Sequence, residues 1–272
     1  MLMEGNLQKI VRVLVSICLI ALVVFCGYNM VDAIASEKKA AESYAELADL
    51  VGGRLRGSAD AETEDTEEEE PIEVFYPDLQ LDMEALESMN GDFRGWLYFP
   101  ALDISYPIVQ GEDNSHYLKY AFDGEKLNAG CIFMDYGASS DWSDRNTFVF
   151  GHSMRDGSMF GTFKDMIEDT TMCEGRPCFY VYTKEWVYTY EIFSLYKTRS
   201  SSDRYMTFES DETYDSYTQW ALDNTMYVFQ ADLRDRPNII SLSTCYGSAG
   251  TSRRIIIHGA MTAKEPYLQA EQ

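Results

Sequence analysis

Between Val13 and Val31 the chain runs VLVSICLIALVVFCGYNMV, nineteen residues without a charge. At 1.5 Å of rise per residue, a helix of that length covers about 28 Å, the thickness of a bilayer's hydrocarbon core. A segment like this belongs in lipid, not in a globular core. Lys9 and Arg12 precede it, Asp32 and Glu37 follow, and Lys38 and Lys39 lie a little further out. The excess of basic residues on the N-terminal side places residues 1–12 in the cytoplasm and the rest of the chain outside the membrane. A cleaved signal peptide is the rival reading, but the run is long for such a segment and no A-x-A site follows it. Residues 13–31 are therefore expected to be a retained single-pass anchor.

Residues 32–74 read as a stalk and linker. Ala, Glu, Lys and Leu predominate from Ser36 to about Leu55, which favours helix. The run DAETEDTEEEEPIE, Asp60 to Glu73, repels itself and has little apolar area to bury, so it is expected to be an extended, solvated spacer holding a domain off the membrane. With 45 acidic against 22 basic residues the net charge is −23, which argues against nucleic acid as a partner.

Six cysteines are present. Cys18 and Cys26 fall in the apolar run, where they act as small apolar residues. The other four are too few for a disulfide-dense scaffold, so the fold must rest on its core. Cys173 and Cys178 flank EGRP, and the sequence leaves open whether they pair. No C-x-x-C pair occurs and there are three histidines, which argues against a zinc site; no acidic cluster has calcium-loop spacing. No cofactor is implied.

From about Phe75 to the C-terminus, residues 75–272, the composition becomes aromatic-rich, and short β-type runs are punctuated by turns. These are GWLYF at Gly95, ISYPIVQ at Ile104, CIFMD at Cys131, NTFVFG at Asn146, CFYVYT at Cys178, WVYTYEIFSLY at Trp186, MYVFQ at Met226, IISLST at Ile239 and IIIHGAM at Ile255. Helical spacing of apolar residues occurs at Asp82–Asn90, Gly161–Asp169 and Asp211–Asp223. This pattern predicts a mainly β fold with helical inserts, a barrel or sandwich.

Three chemically useful residues sit where strands meet loops: His152 just after NTFVFG, Cys245 at the end of IISLSTC, and Arg253 or Arg254 opening the last apolar run. A thiolate is a strong nucleophile, a histidine can protonate a leaving amine, and an arginine can hold a developing oxyanion. Adjacent strand residues point to opposite faces, so only one of the two arginines can face the thiol. Taken by spacing alone, a buried cysteine, a structural histidine and a solvated arginine explain the same residues.

The blocks GWLYFP, YPIVQGEDNSHYL, AGCIFMD, SSDWSDRNTFVFGHSMRDGSMFGTF, SLSTC and RIIIHGA, in this order from Gly95 onward, resemble the class B sortases, membrane-anchored cysteine transpeptidases of Gram-positive bacteria. Ser241 stands where the family usually has Thr, and Phe150 where many members have Tyr. The resemblance implies a closed eight-stranded β-barrel with a helix, Asp211–Asp223, before the strand that ends in the nucleophile. It implies a catalytic set of His152, Cys245 and Arg254, since the family's arginine directly precedes the final apolar run. Asn114 and Leu118 match positions lining the peptide groove. Ser243 and Thr244 are suited to hydrogen-bond a substrate, and the backbone N–H of Tyr246 is a candidate oxyanion donor. His258 is read as a packed histidine and His116 as a loop residue beside the groove. The implied partners are exported proteins bearing a C-terminal sorting motif and an amine on a peptidoglycan precursor or a pilin. A secreted cysteine endopeptidase, an L,D-transpeptidase and a non-catalytic adhesin are the alternatives; the His-Gly-x-x block typical of the second is missing.

Overall fold

The uncharged run lies inside a single long helix, α1 (Leu2–Ala48), in the computed structural model of the chain, which describes residues 2–48, 51–52, 76–200, 207–245 and 252–268. Leu14, Ile17, Ile20, Val23, Phe25 and Tyr28 are each more than half exposed on it, on every side of the helix. A helix that is apolar all round, with none of the described residues covering it, has the character of a membrane-crossing segment. It is one helix, among the described residues, long and apolar enough to cross a membrane.

Past the apolar run, α1 continues through the region expected to be a helical stalk and packs on the following domain. Ala40 and Leu47 are buried against the barrel, and Ser43 Oγ donates to Asp123 Oδ2 at 2.8 Å. Strand β1 (Val51–Gly52) then pairs antiparallel with β2 (Gln80–Leu81), Val51 opposite Leu81. The acidic run Asp60–Glu73 lies outside the described residues, between two strands that pair with each other.

Helix α2 (Met83–Met89) starts where Asp82 accepts the N–H of Ala85, so the cap residue supplies what the first turn cannot. The barrel follows, built from β3 (Phe93–Phe99), β4 (Ile104–Val109), β5 (Ile132–Met134), β6 (Asn146–Gly151), β7 (Cys178–Tyr182), β8 (Trp186–Arg199), β9 (Ile239–Cys245) and β10 (Arg253–Pro266). Helices α3 (Phe163–Glu168) and α4 (Asp211–Asn224) are the predicted inserts. Ser210 and Thr213 cap α4 reciprocally, each side chain taking the other's backbone N–H.

The strands close in the order β10-β8-β7-β3-β4-β5-β6-β9, with β4/β5 and β6/β9 parallel and the other pairs antiparallel. Leu97, Ile108, Val149, Val181, Leu242 and Ile257 fill the interior. On the outside, α4 covers β8 and β10 through Tyr214, Tyr217 and Ala221 packed on Phe193, Tyr196 and Ile256. Eight of the nine strand-like runs are barrel strands. The ninth, at Met226, is not: Met226 N–H bonds to Leu195 O, and Val228 is 84% exposed. Closure leaves this run no free edge to pair with, and β propensity without a partner strand does not make a strand.

Cys173 and Cys178 are both free thiols, Cys173 buried with its Sγ toward Met166 O and Cys178 with its Sγ toward Arg176 O.

Candidate active site

Pairing register brings the three strand-end residues together. In the parallel pair β6/β9, Gly151 is opposite Thr244, so His152 follows β6 at the level where β9 reaches Cys245. In the antiparallel pair β9/β10, Cys245 is directly opposite Arg254. Directly opposed positions share a sheet face, and alternation along each strand carries that face from Phe150 through Ser243 to Arg254. Arg253, the next position along, is opposite Arg199 of β8. Of the two arginines, the sheet therefore sets Arg254 opposite the thiol position.

These strand ends open into a cleft of about 340 Å3. His152, Ser243, Thr244 and Arg254 line it from the barrel, and Asn114 and Leu118 line it from the loop after β4. Each is a residue that the sequence singled out. Tyr246 lies outside the described residues.

His152 is half-buried, and its Nε2–H donates to Leu118 O at 2.8 Å. A carbonyl only accepts, so the bond sets the tautomer and leaves Nδ1 as the basic nitrogen. The backbone is held as well, with His152 O accepting the Phe160 N–H at 2.9 Å.

Asn114 is fixed by its neighbours: Nδ2 donates to Asp135 Oδ2 at 2.9 Å and Oδ1 accepts the Tyr136 N–H at 3.0 Å. The turn carrying it is tightened by Asp113, whose Oδ1 accepts the N–H groups of Ser115 and His116. Those bonds, led by the Ser115 N–H, hold the Asp113 carboxyl below the usual carboxylate range. Asp135, Phe133 and Phe150 complete the wall. Sequence reasoning assigned no role to Asp135, although it ends the CIFMD strand run as His152 follows NTFVFG, and that position was its available signal.

Thr244 is buried, lines the cleft, and its Oγ1 has no hydrogen-bond partner among the described residues. A buried hydroxyl left unsatisfied costs roughly 1–3 kcal/mol, so a peptide carbonyl entering the cleft would recover that loss.

The other two histidines are elsewhere. His116 is exposed and stacked on Tyr120, with ring centroids 4.5 Å apart, and does not line the cleft. His258 is fully buried beneath α4. Its Nδ1–H donates to Ser241 Oγ at 2.7 Å, Ser241 donates onward to Asn146 Oδ1, and Tyr196 O–H donates to its Nε2 at 2.9 Å. Burial favours the neutral ring and pushes the His258 pKa down to about 3.

A nucleophile position, a hydrogen-bonded imidazole and a guanidinium at one cleft make acyl transfer the chemistry the site can perform. Comparison with known proteins bears on that reading. A family model described as the sortase domain matches residues 97–262. The chain is 32% identical over 190 residues to Sortase B of Listeria monocytogenes, spanning 69% of this chain and 76% of that one. It is 25% identical to Sortase B of Staphylococcus aureus over 90% of this chain and 93% of the relative. The crystal structure of sortase B from B. anthracis in complex with AAEK1 superposes with a TM-score of 0.60 at 33% identity, covering 66% of this chain and 83% of that one.

Proposed function

The chain belongs to the sortase family and is a class B cysteine transpeptidase, and from that premise we propose that it cleaves a sorting motif after Thr in exported proteins and joins the freed carboxyl end to an amine of the cell wall or of a pilin. The observation that carries this is the register Arg254 opposite Cys245, with His152 following the neighbouring strand at the same level, and His152 and Arg254 lining one cleft.

In this scheme the Cys245 thiolate attacks the Thr carbonyl carbon, and Arg254 donates hydrogen bonds to the oxygen as it becomes an oxyanion. Collapse breaks the C–N bond, and His152 gives a proton to the departing amine, leaving a thioester. His152, now neutral, takes a proton from the incoming neutral amine as its nitrogen attacks the thioester. The C–S bond then breaks and returns the thiolate. Asn114, Leu118, Ser243 and Thr244 hold the motif in an extended conformation, and the Tyr246 N–H is a second oxyanion donor. A thioester is stable enough to await the second amine and reactive enough to be opened by it.

Residues 75–272 form the catalytic domain in this reading. Lys9 and Arg12 keep the N-terminus cytoplasmic, so the domain faces the exterior, where exported substrates and wall precursor meet. The test is incubation of the full chain with a panel of sorting-motif peptides and with glycine-, diaminopimelate- and lysine-bearing acceptors, read by mass spectrometry beside Cys245→Ala. Cleavage after Thr, a thioester adduct absent from the variant, and an acceptor-dependent amide are expected. Free acid as the only product with every acceptor would instead mean a cysteine endopeptidase.

A further inference from the structure

Two unrelated paths of contacts run from the membrane helix to the two sides of His152, and both start at Tyr44. On the first, Tyr44 O–H donates to Gly130 O at 2.6 Å. Gly130 has φ of 59°, and a Cβ built there would lie 2.2 Å from Tyr117 O and 3.0 Å from the Leu118 carbonyl carbon. That contact admits only glycine, so Gly130 sits directly on the backbone of Tyr117–Leu118. The next residue, Cys131, donates its N–H to Tyr117 O at 2.9 Å. Leu118 O is the acceptor that holds the His152 imidazole.

On the second path, the Tyr44 ring packs edge-on against Tyr106, with centroids 5.3 Å apart. Tyr106 Oη accepts the N–H of Met159 at 3.3 Å, and Met159 is bridged to Ser153, the residue after His152. Phe160, next to Met159, donates its N–H to His152 O. One path thus ends at the imidazole and the other at the histidine's own backbone.

The helix is held in place for this. Ser36 Oγ accepts the Asn128 N–H at 3.3 Å, Lys39 pairs with Glu125, and Ser43 bonds Asp123. All three partners lie in the loop between β4 and β5, which also carries Leu118. Ser36 is only five residues past Val31, about 8 Å along the helix.

We infer that Tyr44 is a positioning residue for His152, so that the anchoring helix forms part of the catalytic apparatus. Tyr44 touches the loop bearing Leu118 at Gly130 and reaches the turn bearing Met159 through Tyr106. A barrel cut free of α1 loses both supports. This rests on the reading of His152 as the general acid and base, and the test separates the two.

The test uses the full chain in lipid nanodiscs, as wild type, Tyr44→Phe and Tyr44→Ala. The first readout is NMR of the three histidine side chains. The His152 Nε2–H is expected to be protected by Leu118 O in the wild type, weakened in Tyr44→Phe and lost to solvent exchange in Tyr44→Ala. The His258 Nδ1–H should stay unchanged in all three. The second readout is ligation kinetics, where kcat should fall about tenfold in Tyr44→Ala through misplacement of the imidazole, with KM changing less. Tyr44→Phe should lose part of this, because it keeps the ring on Tyr106. An unchanged His152 signal and kcat in Tyr44→Ala would overturn the inference, and so would equal loss of the His258 signal, which would mean general loosening. If no peptide is ligated even by the wild type, the proposed reaction fails while the imidazole signal still decides the role of Tyr44.

Discussion

His152 and His258 sit on the same wall of the barrel, and their environments are opposite. His258 lies midway along β10 under α4, with both ring nitrogens satisfied by Ser241 and Tyr196. His152 lies just past the end of β6, with Nε2 bonded to Leu118 O while the residue lines the cleft. A strand's middle can be covered by a helix, and a polar group there must be fully paired within the protein. A strand's end meets loops, which leave a polar group partly unpaired and within reach of a ligand. The same contrast separates the buried Ser241, which is paired, from the buried Thr244 Oγ1, which has no partner among the described residues.

The sharpest way to break this contrast is to remove each ring in turn. His152→Ala is expected to lower kcat/KM about a thousandfold with little change in thermal midpoint, because it deletes the proposed proton donor. His258→Ala should do the reverse. It leaves a cavity and strands Ser241 and Tyr196, costing about 3–5 kcal/mol of stability in denaturant melts, while turnover per folded molecule holds. If His258→Ala lost turnover while remaining folded, the division of roles would be wrong.

The arginines give the next test. Arg254→Lys should cost about a hundredfold in kcat, since a lysine does not reproduce a two-pronged donor at the oxyanion. Arg253→Lys, one residue away on the opposite face, should change kcat less than twofold. Equal losses in steady-state kinetics would contradict the register argument.

Acid separates the histidines too. The unfolded chain takes up a proton at His258 below about pH 6.5, whereas the folded chain resists until about pH 3. The stability that His258 contributes is complete above 6.5 and is lost as pH falls across that window, at up to about 1.4 kcal/mol per pH unit. Denaturant midpoints measured across the window should fall less steeply in His258→Asn than in the wild type. Thr244→Val is the smallest of the effects expected at a cleft residue. KM should rise about fivefold through one lost hydrogen bond, with stability equal or higher because the unpaired hydroxyl is gone. An unchanged KM would remove Thr244 from the substrate contacts.

The local sequence was informative where the cause is local. Asp82 and Ser210 start helices because their own side chains cap the first turn, and both helices are where the spacing predicted them. Asn114 and Leu118 were legible through the DNSHYL block, but not the carboxylate of Asp135 that holds Asn114, which lies 21 residues on. The run at Met226 reads as a strand in isolation and is not one.

By itself, then, the sequence determined the apolar helix, eight barrel strands, the capped helices and the residue types at the strand ends, because periodicity and capping act over a few residues. The motif pointed to Arg254, but tertiary structure alone set it opposite position 245, decided which edges were already taken, and leaned α1 on the loop behind His152. Those outcomes depend on register and packing between segments up to about a hundred residues apart, such as Ser241 on Asn146 or Tyr44 on Gly130, and no window along the chain contains both partners.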